Sequence, residues 1–100
     1  MTKFHIDWKK NPSIPEDLAN KEKMAKLHIS MLEMVKADLK SGKITDWGQY
    51  CNLASGYMLM EGTEADVVPV LKKWTPYIQF EVKPVMNVDQ TIEVWKVDLL

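Results

Sequence analysis

The chain is poor in the features that most often mark a function. Cys51 is the only cysteine in 100 residues. An intramolecular disulfide is therefore excluded, and so is a structural zinc site built on cysteines. There is no strong charge of one sign: 13 basic side chains face 14 acidic ones, for a net charge of -1. The basic residues are scattered, and Lys9-Lys10 and Lys72-Lys73 are only pairs, so they read as solvated faces. No field of this size would recruit nucleic acid or an anionic membrane. No apolar run is long enough to cross a bilayer, and no signal-peptide pattern precedes the first strand. A cytoplasmic location is the default expectation. Neither an HExxH pattern nor any phosphate-binding motif is present, so no metal and no cofactor is expected.

Against those gaps, 46% of the residues are hydrophobic and 27% charged, the balance of an ordinary globular chain. The length suits a single domain over 1–100 with one core. Its clearest pattern is Lys3-Phe4-His5-Ile6-Asp7-Trp8, which alternates strictly. Phe4, Ile6 and Trp8 make an apolar face, and Lys3, His5 and Asp7 a polar one, as a strand with two different environments requires. Ser13-Ile14-Pro15-Glu16 has the form of a capping box, with Asp17 and Asn20 as competing caps. Met24, Leu27, Met31, Leu32, Val35 and Leu39 then recur at helical spacing as one stripe, and Gly42 suits the left-handed position after the helix.

Residues 44–50 read as a second strand, 52–56 as a turn or bulge, and 57–61 as a third strand pairing with the second. Val67, Val68, Val70, Leu71 and Trp74 predict a shorter helix capped by Asp66, with Pro69 tolerated if it falls in the first turn. Ile78-Gln79-Phe80-Glu81-Val82-Lys83 alternates like the first strand, and Pro84 is expected to end it. Asn87 and Gln90 fit a capping box for a final helix over 88–97, although Thr91 to Val94 also alternates.

The order strand, helix, strand, strand, helix, strand predicts an α+β, ferredoxin-like βαββαβ sandwich with a short C-terminal extension. Its antiparallel sheet would carry two helices on one face, with the first and third strands central. Phe4, Ile6, Trp8, Ile78, Phe80 and Val82 should pack under the helices. His5, Asp7, Gln79, Glu81 and Lys83 should lie on the open face.

Several short motifs then point to a family. Phe4-His5-Ile6 is similar to the first-strand start of muconolactone isomerase, and Gly42-Lys43 lies where that family has Gly-Lys after its long helix. Pro76-Tyr77 and Val82-x-Pro84-Val85 are similar to its ending. The chain thus resembles the dimeric α+β-barrel superfamily, in which two such sheets close face to face. It resembles more closely a family of small uncharacterised bacterial and archaeal proteins. The resemblance implies the fold and a homodimer. The isomerase has a basic residue where Asp7 stands and a histidine where Glu81 stands, so His5 alone carries over as a matching position.

The expected function is binding of a small apolar or aromatic organic molecule in the barrel. Trp47, Tyr50, Met58 and Met60 are the candidate ligand-binding residues, because aromatic rings and adaptable thioethers suit such a guest. The alternative is an isomerase or a cofactor-free monooxygenase-like enzyme, in which His5 transfers a proton with Asp7 or Glu81 as its charge partner. These three residues could equally form a hydrogen-bonded dimer interface. A structural or interaction subunit is a further alternative. His28, amid the helical stripe, reads as a satisfied core histidine. Cys51 has no basic neighbour to activate it.

Overall fold

The computed structural model describes residues 2–13 and 20–100. Strand β1 (Thr2–Lys10) is followed by helix α1 (Lys21–Ser41), strands β2 (Asp46–Gln49) and β3 (Ser55–Gly62), helix α2 (Glu64–Lys72), strand β4 (Ile78–Val85) and helix α3 (Val88–Lys96). A 3-10 turn, Val97–Leu99, closes the described chain. The four strands form one sheet in the order β2-β3-β1-β4, and every neighbouring pair is antiparallel. This is a small α+β fold with an open sheet.

The central strand behaves as its alternation predicts. Phe4, Ile6 and Trp8 are buried on one face, opposite Met60, Met58 and Gly56 of β3. Val67, Val70 and Leu71 of α2 and Ile44 close the cluster. Ile6 is 0% exposed, which places the centre of the core on β1. Hydrophobic burial of this kind is worth about 1.5–3 kcal/mol per large side chain.

Local capping chemistry sets the helix ends. The Asn20 carboxamide oxygen accepts from the Lys23 N–H at 3.0 Å, so Asn20 starts α1. Of the alternative caps, Asp17 and the rest of the box at 13–16 lie outside the described residues, and Ser13 itself sits in a turn where its N–H donates to the Asn11 carboxamide oxygen at 3.0 Å. Gly42 ends α1 in the left-handed region at φ 83°, where a Cβ would be strained. In α2 the cap is Thr63 rather than Asp66. Asp66 stands three residues on, and its carboxylate accepts from the Thr63 N–H at 2.8 Å and the Thr63 hydroxyl at 3.1 Å. Those two bonds, the backbone one first, hold the Asp66 carboxyl below the ordinary carboxylate range. Pro69 consequently falls in the second turn, where it removes the bond its N–H would have made to the Ala65 carbonyl.

Other boundaries moved for tertiary reasons. Ile44 is buried but precedes β2, because its N–H goes to the Asp38 carbonyl at the end of α1. Strand β3 begins at Ser55, so Gly56 is a strand residue and not part of the turn. Strand β4 runs through Pro84 to Val85, which an edge strand permits since its outer side needs no donor. The last segment is a helix: Asn87 and Gln90 exchange side-chain to backbone bonds of 2.8 and 2.9 Å.

Two apolar expectations fail. The side of α1 turned to the sheet is Met24, His28, Met31, Val35 and Asp38, while Leu27, Leu32 and Leu39 are exposed on its flanks. Asp38 is buried at the core edge because Lys73 reaches its carboxylate at 2.7 Å. Val82 shares the face of Ile6 and stands directly opposite it, yet it is 41% exposed. The helix layer reaches Ile78 and Phe80 at the start of β4, which pack against the core, and leaves the later part of the strand, Val82 and Pro84, uncovered.

Candidate functional site

Two surfaces bring chemically distinct residues together, one on each side of the sheet. On the helix side, α1 spans the sheet and leaves a cavity of about 100 Å³ beneath it. Trp8 of β1 and Trp47 of β2 stack in its wall, with ring centroids 5.5 Å apart and planes 13° from parallel. Met31, Val35, Met58 and Phe80 complete an apolar lining, and His28 and Gln49 supply polar groups. Alternation explains the pairing: Trp47 opposes Met58 across the β2–β3 ladder, so both face the helices. Trp8 reaches the cavity because its strand partner, Gly56, has no side chain. A Cβ there would stand 2.5 Å from the indole.

The open face carries the polar cluster. His5 stacks on Tyr57, with centroids 6.4 Å apart and planes 6° from parallel. Tyr57 also meets Tyr50 at 6.3 Å and donates its hydroxyl to the Asp46 carboxylate at 3.0 Å. The Asp7 carboxylate lies 3.8 Å from His5 Nδ1, within ion-pair reach but beyond hydrogen-bonding distance. Lys83 is nearer, donating to Asp7 at 3.3 Å, and it stands 3.6 Å from Glu81. The bond to Asp7, then the Glu81 charge, raise the Lys83 ammonium above its ordinary value.

His5, Asp7 and Glu81 therefore share one face as the alternation predicts, but Lys83 takes the carboxylates. The four candidate ligand-binding residues do not form one group. Trp47 and Met58 line the helix-side cavity. Met60 is fully buried in the core, and Tyr50 is exposed beside Tyr57 on the opposite side of the sheet. His28 faces the cavity rather than closed core. The residues that sequence reasoning missed are Tyr57 and Asp46. Placing them needed the β3 register, in which Tyr57 opposes both Asp7 and Gly48. A Cβ on Gly48 would approach the Tyr57 ring at 2.5 Å, so glycine there lets the ring lie flat on the sheet.

The Tyr57–Asp46 bond makes a pH prediction. The bond, and then the negative charge of Asp46, hold the Tyr57 phenol above the ordinary tyrosine value. The folded state thus binds this proton more tightly than the unfolded chain does. The stabilisation is complete below the ordinary tyrosine pKa and is lost as pH rises from there through the raised folded value. Spectrophotometric titration of the phenols should show one tyrosine ionising late in the native protein, and Asp46→Asn should return it towards the others. An unchanged titration in that variant would contradict the assignment.

Among the described residues no group of histidine, cysteine and carboxylate side chains could hold a metal ion, and no helix is long and apolar enough to cross a membrane. Cys51 is exposed in the β2–β3 turn. A family model described as a domain of unknown function, DUF3303, matches residues 2–98. No curated protein matches the chain.

Proposed function

The chain belongs to the DUF3303 family, and on that footing we propose that it is a ferredoxin-like domain that binds a small apolar or aromatic molecule between α1 and the sheet. The observation that carries this reading is the stacked Trp8–Trp47 pair in the wall of an apolar cavity. A ring sliding in beside such a pair gains dispersion and offset stacking. Met31 and Met58 can adjust their thioethers to its outline. The cavity, at about 100 Å³, is smaller than the roughly 150 Å³ that holds benzene, so a six-membered ring enters only as the thioethers of Met31 and Met58 shift to make room. His28 and Gln49 provide the few polar groups that orient a substituent. A proton-transfer role for His5 has less support, because its nearest carboxylate is engaged by Lys83.

Thermal shift with benzoate, phenol and small lactones tests the binding reading. A ligand at ten times its Kd adds about 1.4 kcal/mol, which raises Tm by roughly 5–10 °C in a domain of this size. Tryptophan fluorescence should change with the same midpoint, and Trp47→Ala should abolish both signals. No shift and no fluorescence change across the set would refute it.

The same reading includes pairing of two copies through the open face, where Tyr57 and Leu59 remain partly exposed beside the ion pairs. Burying those two side chains would add to the stability of the pair. Leu59→Glu should shift the protein from dimer to monomer in sedimentation velocity at micromolar concentration. A wild-type protein that sediments as a monomer there would exclude the pairing.

A further inference from the structure

Helix α3 is amphipathic and buries nothing. Val88, Ile92 and Trp95 follow at spacings of four and three, and Leu99 in the 3-10 turn extends the row. Asp89, Glu93 and Lys96 lie together on one flank of the row, and Val94 and Val97, also exposed, fall on the far side. Trp95 is 67% exposed and Leu99 84%. The helix's one substantial packing contact is with the turn that follows it. The molecule accordingly measures 64 × 27 × 23 Å with a radius of gyration of 16.8 Å, where a compact domain of this length has about 13 Å.

The chain also has an apolar strip with no helix over it. Phe4 and Ile6 of β1 are buried, whereas Pro84 and Val82, directly opposite them on β4, are exposed on the same face. Only Met86 and Asn87 separate this strip from α3, and α3 does not fold back onto it. The Asn87–Gln90 capping box sets where the helix begins.

We propose that two copies of this chain exchange their C-terminal arms, the apolar row of each α3 lying on the helix-side strip of β4 in the other copy. Area selects a second copy over an unrelated partner. Nine helical residues and three of 3-10 turn make an arm about 20 Å long and 10–12 Å thick, whose contacting half buries about 300 Å². With the surface beneath it, one arm buries about 600 Å², well short of the ~1,200 Å² at which stable interfaces begin, and two reciprocal arms reach it. The two-fold arrangement satisfies both unpaired surfaces of both chains with a single contact type. It depends neither on the cavity nor on the open face.

Cysteine cross-linking of the full chain tests the exchange. In a Cys51→Ser background, one preparation carries Val82→Cys and the other Ile92→Cys, and the two are mixed, equilibrated and mildly oxidised. A covalent dimer specific to the mixture is the expected result, and its absence overturns the proposal. Separately, Ile92→Glu with Trp95→Glu should raise the dimer dissociation constant at least tenfold. Because α3 buries nothing in one copy, the far-UV spectrum and melting of the dilute protein should not change. An unchanged dissociation constant overturns the proposal even if the open face also pairs, since an exchanged arm must contribute to it.

Discussion

Gly56→Ala is expected to destabilise the protein by about 3 kcal/mol, the upper part of the range for overpacking a filled core. Gly56 sits inside β3, opposite Trp8 on the buried face. A Cβ built there runs into the Gly48 carbonyl oxygen and stands 2.5 and 2.6 Å from two carbons of the Trp8 indole. Neither neighbour can give way easily. The carbonyl belongs to the β2 backbone, and the indole is 7% exposed and stacked on Trp47. Relief requires either a parting of β2 from β3 or a tilt of Trp8, and both open the core. Urea denaturation followed by tryptophan fluorescence measures the loss. A cost below 1 kcal/mol would mean that the indole does not lie against Gly56. The same variant should also lose ligand-dependent thermal shift, because Trp8 forms one wall of the cavity.

Ile6→Ala should cost about 3–4 kcal/mol. Ile6 is fully enclosed at the centre of the middle strand, between Met58 on one side and Val82 on the other. Its removal takes away three carbons of transfer energy and leaves a void that a hydrogen-bonded central strand cannot collapse to fill. For a domain of 100 residues this corresponds to a fall in Tm of roughly 12–30 °C. Ile6→Val, which deletes one methylene, should cost about 1 kcal/mol. Equal losses for the two variants in calorimetric unfolding would show that packing around Ile6 is not what limits stability.

The contrast between Ile6 and Val82 shows where sequence reasoning stops. Both belong to alternating strands, and both have an apolar face with the same period. Alternation tells which side of a strand a residue occupies, a local matter of backbone geometry. It carries no information on whether anything covers that side. Burial of Val82 depends on how far the helix layer extends across the sheet, and it covers Ile78 and Phe80 of β4 but not Val82. The stripe on α1 fails similarly. Helical spacing admits a wide apolar arc, and the sheet selected the part centred on Met31 and Val35, leaving Leu27, Leu32 and Leu39 on the flanks.

The ligand-binding candidates divide for a third reason. Trp47 and Tyr50 are three residues apart, so an odd step along an extended chain sends them to opposite sides. Met58 and Met60 share a side, but only Met58 borders the cavity under α1. The cluster of Tyr57, His5 and Asp46 depended on pairing between strands far apart in sequence. That register was set by where the turn at 50–54 ends. There the Asn52 carboxamide oxygen accepts from the Ala54 and Ser55 N–H groups.

By itself, then, the sequence determined the order of elements, the two faces of β1 and β4, the capping of α3 by Asn87 and Gln90, and the placement of His5, Asp7 and Glu81 on one side of the sheet. Each of these follows from interactions within a few residues: backbone period, cap hydrogen bonds and turn residues. The tertiary structure alone decided the Trp8–Trp47 stack, the Tyr57–Asp46 bond, the capture of Asp7 by Lys83, and the bare apolar surfaces of β4 and α3. Those depend on strand register and on the reach of one layer over another. Both are set by the packing of the whole chain, which no local pattern encodes.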